Sequence, residues 1–246
     1  MKNLTQRAIA AGGRLSSLII PEETEQKVAL MNPSVFVDDD GDILVNIRNT
    51  NYFLYHSDGR QYFPCRWGFL EYLHPENDMH LRTTNYLCRL DENLKVADFS
   101  KVDTSTLDTG SEWDFIGLED ARLVKWEGDY YLAGVRRDVT PDGQGRMELS
   151  KINLDKSSWT AKEVSRLRIP PPIDQNSYCE KNWVPVPDKP YHFVKWTSPT
   201  ELVRTYPDEP ARCQQVLLGN SIRTDADIRG GSHAIKWKNH YISIAH

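Results

Sequence analysis

The sequence is poor in cysteine and in long apolar runs. Its four cysteines, Cys65, Cys88, Cys179 and Cys213, lie far apart, so the Cys-x-x-Cys pairs used by zinc sites and redox motifs are missing. We expect isolated thiols rather than two disulfides. No segment approaches the roughly 20 apolar residues of a membrane-spanning helix, and residues 1–14 lack the continuous apolar core of a secretory signal. These absences predict no metal site, no membrane partner and a cytoplasmic location.

The chain also lacks an excess of positive charge. Its 30 lysines and arginines are outnumbered by 35 aspartates and glutamates, which gives a net charge of -5. No global attraction to nucleic acid is therefore expected. Aromatic residues are plentiful, with 7 Trp, 11 Tyr and 7 Phe, and they suit both β-strands and the apolar faces of sugars. The composition is that of a globular protein, and 246 residues favour one large domain over two small ones.

A repeated phrase runs along the chain: a polar cluster, a short apolar segment, a turn, and a second segment rich in aromatic or β-branched residues. Four copies cover residues 32–48, 119–135, 180–196 and 229–245. The first copy turns at Asp40-Gly41, and an Asp-Gly step is a strong hairpin signal. A second kind of hairpin lies between copies, at residues 85–96 and 147–164. Two hairpins per unit predict a four-stranded blade, and repeated blades predict an all-β propeller; an irregular β-sandwich of unrelated hairpins is the alternative.

This pattern predicts a single propeller domain over residues 1–246, with residues 1–29 as an N-terminal extension that packs on it. Three units and the opening hairpin of a fourth fit this length, so we expect the propeller to be incomplete in this chain. The last apolar strand would then leave unpaired backbone groups at an exposed edge. Either a continuation of the natural chain or another subunit of a homo-oligomer is expected to cover that edge.

Each polar cluster stands immediately before the first strand of its unit. First strands line the central channel of a propeller, so the clusters are expected to meet at one mouth of that channel. Gathering charged groups costs desolvation free energy that folding alone does not require, which predicts a binding site. The residues expected at this mouth are Glu119, Asp120, Arg122, Glu180, Lys181, Asn182, Arg229 and His233.

Asp120 is the candidate with the most specific chemistry. If its side chain faces the channel, burial and the neighbouring Glu119 should raise its pKa, as a general acid requires. The alternative is a structural ion pair in which Arg122, two residues further along the same strand face, neutralises Asp120.

The tryptophans divide into two groups. Trp113 and Trp183 stand next to polar clusters and are the candidate platforms for sugar stacking. Trp126, Trp196 and Trp237 recur near turns of the repeat, and we expect them to pack between blades.

Residues 117–122, Gly-Leu-Glu-Asp-Ala-Arg, resemble the Glu-Asp-Pro-Arg phrase of glycoside hydrolase family 130, whose five-bladed propeller enzymes phosphorolyse or hydrolyse β-mannosides. Asn32-Pro33 and residues 46–49 are similar to the early Asn-Pro segment and the Tyr-Arg strand end of that family. Residues 145–150 are similar to its Arg-Ile-Gly-Leu-Ala stretch, and Lys181 falls where the family has a Lys before another hairpin. The resemblance covers roughly residues 30–246, and Ala121 stands where the family has Pro.

The resemblance implies an inverting reaction at a mannoside-type bond, with Asp120 as the general acid. No second carboxylate base is needed, because a phosphate nucleophile is already ionised. Arg146 and Lys181 would bind inorganic phosphate, which is the only co-substrate expected, and no other cofactor is implied. Arg229 is a third candidate, since the Gly-Gly turn after it could cradle an oxyanion or simply form a β-turn. The expected contacts to an oligosaccharide or glycoside are Asn32, Arg48, Asn49, Trp113, Glu119, Arg122, Asn182, Trp183 and His233.

An enzyme that breaks or makes such a bond is the leading interpretation, and two others stay open. A non-catalytic carbohydrate-binding propeller beside a glycosyltransferase would use the same polar mouth without turnover. A mannosyltransferase that uses a sugar phosphate would use it for synthesis.

Overall fold

The computed structural model of the protein describes residues 3–14, 17–18, 20, 29–55, 63–64, 71–74, 77–173, 175, 177–220, 228 and 230–245. One short helix, α1 (Leu4–Ala10), begins at Asn3, whose side chain accepts a hydrogen bond from the Gln6 backbone while the Gln6 side chain accepts one from Asn3. No helix in these ranges is long and apolar enough to cross a membrane. The remaining elements are strands, so the all-β prediction is confirmed.

In chain order the strands are β1 (Ala29–Val37), β2 (Ile43–Thr50), β3 (Phe53–Tyr55), β4 (Phe63–Pro64), β5 (Glu71–Leu73), β6 (Leu81–Leu90), β7 (Val96–Asp103), β8 (Phe115–Ile116), β9 (Glu119–Trp126), β10 (Asp129–Arg136), β11 (Arg146–Asp155), β12 (Thr160–Arg168), β13 (Val184–Pro185), β14 (His192–Thr197), β15 (Thr200–Thr205), β16 (Cys213–Leu218), β17 (Ile235–Trp237) and β18 (His240–Ile242).

The largest sheet consists of two antiparallel meanders. The first runs β1-β2-β6-β7 and the second runs β9-β10-β11-β12, and they join where β7 pairs in parallel with β12 over two residues. The two ends of this eight-strand path, β1 and β9, lie next to each other, as shown by the hydrogen bond that the Leu123 backbone N–H donates to Ser34 Oγ at 3.0 Å. The path therefore forms a nearly closed, barrel-like sheet. The short β8 adds to it by pairing in parallel with β6.

The rest of the chain forms three smaller sheets. Strands β13-β14-β15-β16 make a third four-stranded meander, β17 and β18 make a separate hairpin, and β3-β5-β4 make a small sheet. All four opening hairpins predicted from the repeat are present, as β1–β2, β9–β10, β13–β14 and β17–β18. The second hairpins are present as β6–β7 and β11–β12. The arrangement of these units as a five-bladed propeller stays a prediction.

Two apolar cores hold the meanders together. The first fills the barrel-like sheet and includes Leu44, Leu87, Val102, Leu123, Leu132 and Ile152. The second lies between the second and third meanders and includes Trp126, Met147, Leu149, Trp183, Phe193 and Val203. Burying a side chain of this size stabilises the fold by about 1.5–3 kcal/mol. In this second core the Trp126 indole also donates to the Val186 carbonyl at 3.0 Å, which ties β9 to the third meander.

The expectation that three tryptophans pack between units is right for one of them. Trp126 is 1% exposed, whereas Trp196 and Trp237 are 45% and 53% exposed. Because β17 and β18 form a two-stranded sheet among the described residues, Trp237 has no further strand of its own unit to pack on. The prediction is therefore wrong for Trp196 and Trp237.

The N-terminal extension and the cysteines are described in part. Ile20 is buried against Val45, Ile47 and Cys88 of the first meander, while residues 21–28 lie outside the described ranges. Cys88, Cys179 and Cys213 are free thiols, as expected, and Cys65 lies outside the described ranges.

Candidate functional site

A cavity of about 750 Å³ lies where the first strands of the units begin. Nine polar side chains line it, and six of them, from four distant segments, were expected to lie in the site: Asn32, Asp120, Arg122, Lys181, Asn182 and His233. Arg229 lies outside the described residues. Residues of all four polar clusters therefore share one cavity, although Asn32 and Asp120 lie within β1 and β9 rather than before these strands. We call this space the central cavity.

Three of these residues adopt left-handed backbone conformations. The φ angles of Asn32, Asp120 and Asn182 are 50°, 51° and 63°. A left-handed conformation at a residue other than glycine costs about 1–3 kcal/mol, although Asn and Asp tolerate it best. The pairing of β1 with β2 slips beside Asn32, and the pairing of β9 with β10 slips beside Asp120. Such bulges re-aim a side chain away from the regular alternation of a strand, and here they accompany side chains that line the cavity.

Asp120 accepts two hydrogen bonds through Oδ1. Asn32 Nδ2 donates at 2.6 Å, and Arg48 Nη1 donates at 2.7 Å and completes an ion pair. The other end of the Arg48 guanidinium donates to the Tyr52 hydroxyl at 2.5 Å and lies 3.4 Å from Glu119 Oε2. Arg48 is buried, so its charge is balanced by two carboxylates rather than by water.

These contacts move the pKa values of the two carboxyl groups in opposite directions. Burial alone would raise the pKa of Asp120, but the charge of Arg48 and the hydrogen bond from Asn32 hold that pKa below its usual range. Burial raises the pKa of Glu119, the Arg48 charge opposes this, and the Asp120 charge adds to it. The expectation of a raised Asp120 pKa is therefore wrong, because Arg48 was not foreseen as its partner.

Arg122 has a different role from the one its position suggests. Its guanidinium donates to three backbone carbonyls: those of Gly231 and Gly230, both at 3.1 Å, and that of Trp183 at 3.4 Å. It thus fastens the segment before β17 and the start of β13 to β9. The alternative of an Asp120–Arg122 ion pair is not what the structure contains, since the ion-pair partner of Asp120 is Arg48.

His233 contributes a neutral ring to the central cavity wall. Burial and the nearby charge of Arg122 lower the pKa of His233 to about 4, and a hydrogen bond with the Leu123 backbone opposes the shift. The ring is therefore uncharged at pH 7. Its Nε2 is buried and has no hydrogen-bond partner within the described part of the chain.

Lys181 and Asn182 line a second cavity as well as the central one. This second cavity has a volume of about 300 Å³, and its wall also includes Gln175, Ser177, Glu180, Lys195 and Trp196. Lys181 is exposed and has no hydrogen bond or ion pair to another described residue. Its ammonium group is consequently available to a ligand in either space.

Arg48, Glu119 and Glu180 do not line the central cavity, and four further predicted site residues lie elsewhere. Asn49 is fully buried, and it occupies the face of β2 opposite to Arg48 because successive strand residues alternate. Trp113 packs against Tyr52 and other rings in a buried cluster, and Trp183 belongs to the second core. Neither residue lines the central cavity, although Trp183 is among the residues that line the second cavity.

Arg146 is the fourth of these residues. Its Nη1 donates to the carbonyls of Gly145 at 2.8 Å and Ser177 at 2.9 Å, and the side chain is buried. It is not among the residues that line the central cavity. A guanidinium already bound to backbone oxygens is poorly placed to hold phosphate, so this geometry favours a structural role.

Sequence reasoning missed two features of the site. One is an aliphatic wall of the central cavity, formed by Val35, Ile235, Ile242 and Ile244. The other is Trp196, whose exposed indole lies on the second cavity. The repeat could have located both features, because each belongs to an opening hairpin, but the sequence does not show which strand faces stay uncovered.

The described residues contain no group of three His, Cys, Asp or Glu side chains that could hold a metal ion. The chain matches no protein-family model, and no curated protein shows significant sequence similarity to it.

Proposed function

We propose that this chain is a carbohydrate-active protein of the β-propeller type, in which the central cavity binds a mannoside-type glycoside or oligosaccharide. The observation that carries the proposal is the meeting of six polar side chains from four distant segments in one cavity. The three four-stranded meanders and the hairpin β17–β18 support the propeller arrangement, since the first strand of each unit, or the segment just before it, contributes residues to the cavity wall. The resemblance of residues 117–122 to glycoside hydrolase family 130 supplies the sugar class.

The chemistry of the cavity wall suits a sugar. Asn32 and Asn182 offer both hydrogen-bond donors and acceptors, and Asp120 offers acceptors, which together match the hydroxyl groups of a pyranose ring. The aliphatic wall that includes Val35 and Ile242 suits the C–H faces of the same ring. Pockets that combine an apolar wall with a few fixed polar groups are typical ligand sites.

The reaction we propose is inverting phosphorolysis. A phosphate oxygen attacks the anomeric carbon, the glycosidic C–O bond breaks, and the leaving oxygen takes a proton from Asp120. Lys181 would hold the phosphate, with Arg229 as a further candidate. Asp120 is ionised at neutral pH, since its pKa lies below its usual range, but a bound phosphate would raise this pKa by like-charge repulsion and by competing for Arg48. Glu119 is the alternative proton donor, because its pKa is already raised.

One observation favours a second candidate function. An ionised Asp120 held by Arg48 and Asn32 is well suited to accept hydrogen bonds from a bound sugar without donating a proton. The chain would then be a non-catalytic carbohydrate-binding propeller. A mannosyltransferase that uses a sugar phosphate stays a third proposal, as do a cytoplasmic location, a homo-oligomeric state and the absence of nucleic acid and membrane partners.

Release of mannose or mannose 1-phosphate from β-mannobiose tests the proposal. With phosphate present we expect mannose 1-phosphate, and without phosphate we expect little release of either product. Mannose released at the same rate with and without phosphate would instead indicate hydrolysis. Binding of β-mannobiose without any product would establish the non-catalytic alternative, and no binding of mannosides at all would refute the assignment of the sugar class.

A further inference from the structure

The second cavity adjoins the central cavity directly. Lys181 and Asn182 belong to the walls of both, and the consecutive residues Gly230 and Gly231 line the second and the central cavity respectively. The segment at residues 181–182 is thus a ridge with a ligand-sized space on each side. A chain molecule bound in the central cavity would enter the second cavity if it crossed this ridge.

The polar wall of the second cavity is fixed by its own contacts. Lys195 is buried, hydrogen-bonds to Gln175, and lies 3.4 Å from Glu180 Oε2. Glu180 is also buried and accepts from Ser177 Oγ at 2.8 Å and from the Trp183 indole at 3.1 Å. Polar groups held in this way are preorganised for a ligand and lose little conformational entropy when one binds.

The rim of the second cavity carries an exposed aromatic ring. Trp196 is 45% exposed although it lies within β14, directly after the buried Lys195. An indole face beside fixed hydrogen-bonding groups combines an apolar platform with polar partners, which is the combination that a sugar ring requires.

We propose that the second cavity is an additional sugar subsite, in which Trp196 stacks on a residue of an oligosaccharide that extends from the central cavity across the ridge at residues 181–182. This inference rests on the proposed function, because it assumes that the central cavity binds a sugar. It narrows the substrate class from any glycoside to an oligosaccharide of at least two residues.

The test measures whether the effect of removing the Trp196 ring depends on the length of the ligand. Binding of mannose, β-mannobiose and β-mannotriose is measured by calorimetry without phosphate, so that no phosphorolysis occurs. The variants are Trp196→Ala and, as a matched control, Trp237→Ala, which removes a similarly exposed indole that lines neither the central nor the second cavity. Melting temperatures of both variants show whether they stay folded.

We expect the wild-type protein to bind the longer probes more tightly than mannose. Trp196→Ala should weaken binding of the longer probes by roughly tenfold and leave mannose binding unchanged, since one aromatic contact is removed from one subsite. Trp237→Ala should bind all probes as the wild type does. The subsite would be overturned, and the proposed function left intact, by either of two results. Trp196→Ala could weaken the binding of every probe equally, or the wild-type protein could bind the longer probes no more tightly than mannose. Failure of the wild type to bind any probe would refute both.

Discussion

Replacing Asp120 with Asn distinguishes a catalytic role of the Asp120 carboxylate from a structural one. The amide preserves the shape of the side chain and keeps an oxygen where Asn32 and Arg48 donate their hydrogen bonds, at 2.6 and 2.7 Å. It removes the negative charge and the transferable proton. A general acid role therefore predicts that turnover falls by about 10²-fold or more, while sugar binding stays nearly intact.

The effect on stability follows from the surroundings of Arg48. Hydrogen bonds to charged groups contribute about 1.5–3 kcal/mol and neutral ones about 0.5–1.5 kcal/mol, so the substitution should destabilise the fold by about 1–2 kcal/mol. The loss is limited because Arg48 keeps the Tyr52 hydroxyl at 2.5 Å and the Glu119 carboxylate at 3.4 Å. For a protein of this size, each kcal/mol lowers the melting temperature by about 2–4 °C.

Turnover of β-mannobiose and the melting temperature are the two measurements. Glu119→Gln serves as the matched control, because it alters the neighbouring carboxyl group and keeps the Asp120 ion pair. A large loss of turnover in Asp120→Asn but not in Glu119→Gln assigns the proton donor to Asp120, and the reverse assigns it to Glu119. An Asp120→Asn protein that melts early yet works at nearly the wild-type rate would refute a catalytic role for Asp120.

Three further predictions concern cations. Lys181→Ala should raise the phosphate requirement in steady-state assays with little change in melting temperature, whereas Arg146→Ala should lower the melting temperature; the opposite pattern would restore Arg146 as the phosphate ligand. Arg122→Ala frees three carbonyls, so backbone amides of residues 230–244 should exchange faster with deuterium, and unchanged exchange would contradict its positioning role. Lys156 lies 2.6 Å from the buried Asp38 carboxylate and holds its pKa well below the usual range against the effect of burial. A carboxylate whose pKa is lowered in the folded state stabilises the fold at pH values above its unfolded pKa, which is near 4, and this stabilisation is lost as the pH falls. Lys156→Ala should therefore reduce the free energy of unfolding by about 1 kcal/mol at pH 7 and by less in acid. Urea unfolding at pH 7 and at acidic pH measures this difference.

The β-rich fold was largely predictable from local patterns. Alternating apolar residues and turn signals such as Asp40-Gly41 identify the hairpins, because both depend on neighbours a few residues apart. The parallel pairing of β7 with β12 was not predictable in this way. It joins residues 102–103 to residues 161–162, and nothing in either strand specifies a partner so distant in the sequence.

The sequence predicted which residues lie near the site better than it predicted their contacts with one another. The position of Asp120, Lys181 and His233 before or near first strands was enough to place them on one cavity. The ion pair of Asp120 with Arg48 joins two different meanders, and the sequence offered Arg122 as the nearer cation. The tryptophans failed for a related reason: adjacency to a polar cluster in sequence does not determine which face of a strand a ring occupies, so Trp183 is in a core and Trp196 is exposed.

The backbone conformation at the central cavity is a feature that three of the units share. A left-handed φ recurs at Asn32, Asp120 and Asn182, each near the start of the first strand of a different unit. A left-handed φ does not by itself require a ligand, because five other non-glycine residues adopt one without lining the cavity: Leu94, Glu127, Trp159, Tyr191 and Lys238. Asn32, Asp120 and Asn182 differ from these in that all three carry an amide or carboxylate and line the same cavity. Under the function that we propose, presenting these groups to a common ligand would account for a backbone cost of about 1–3 kcal/mol at each position.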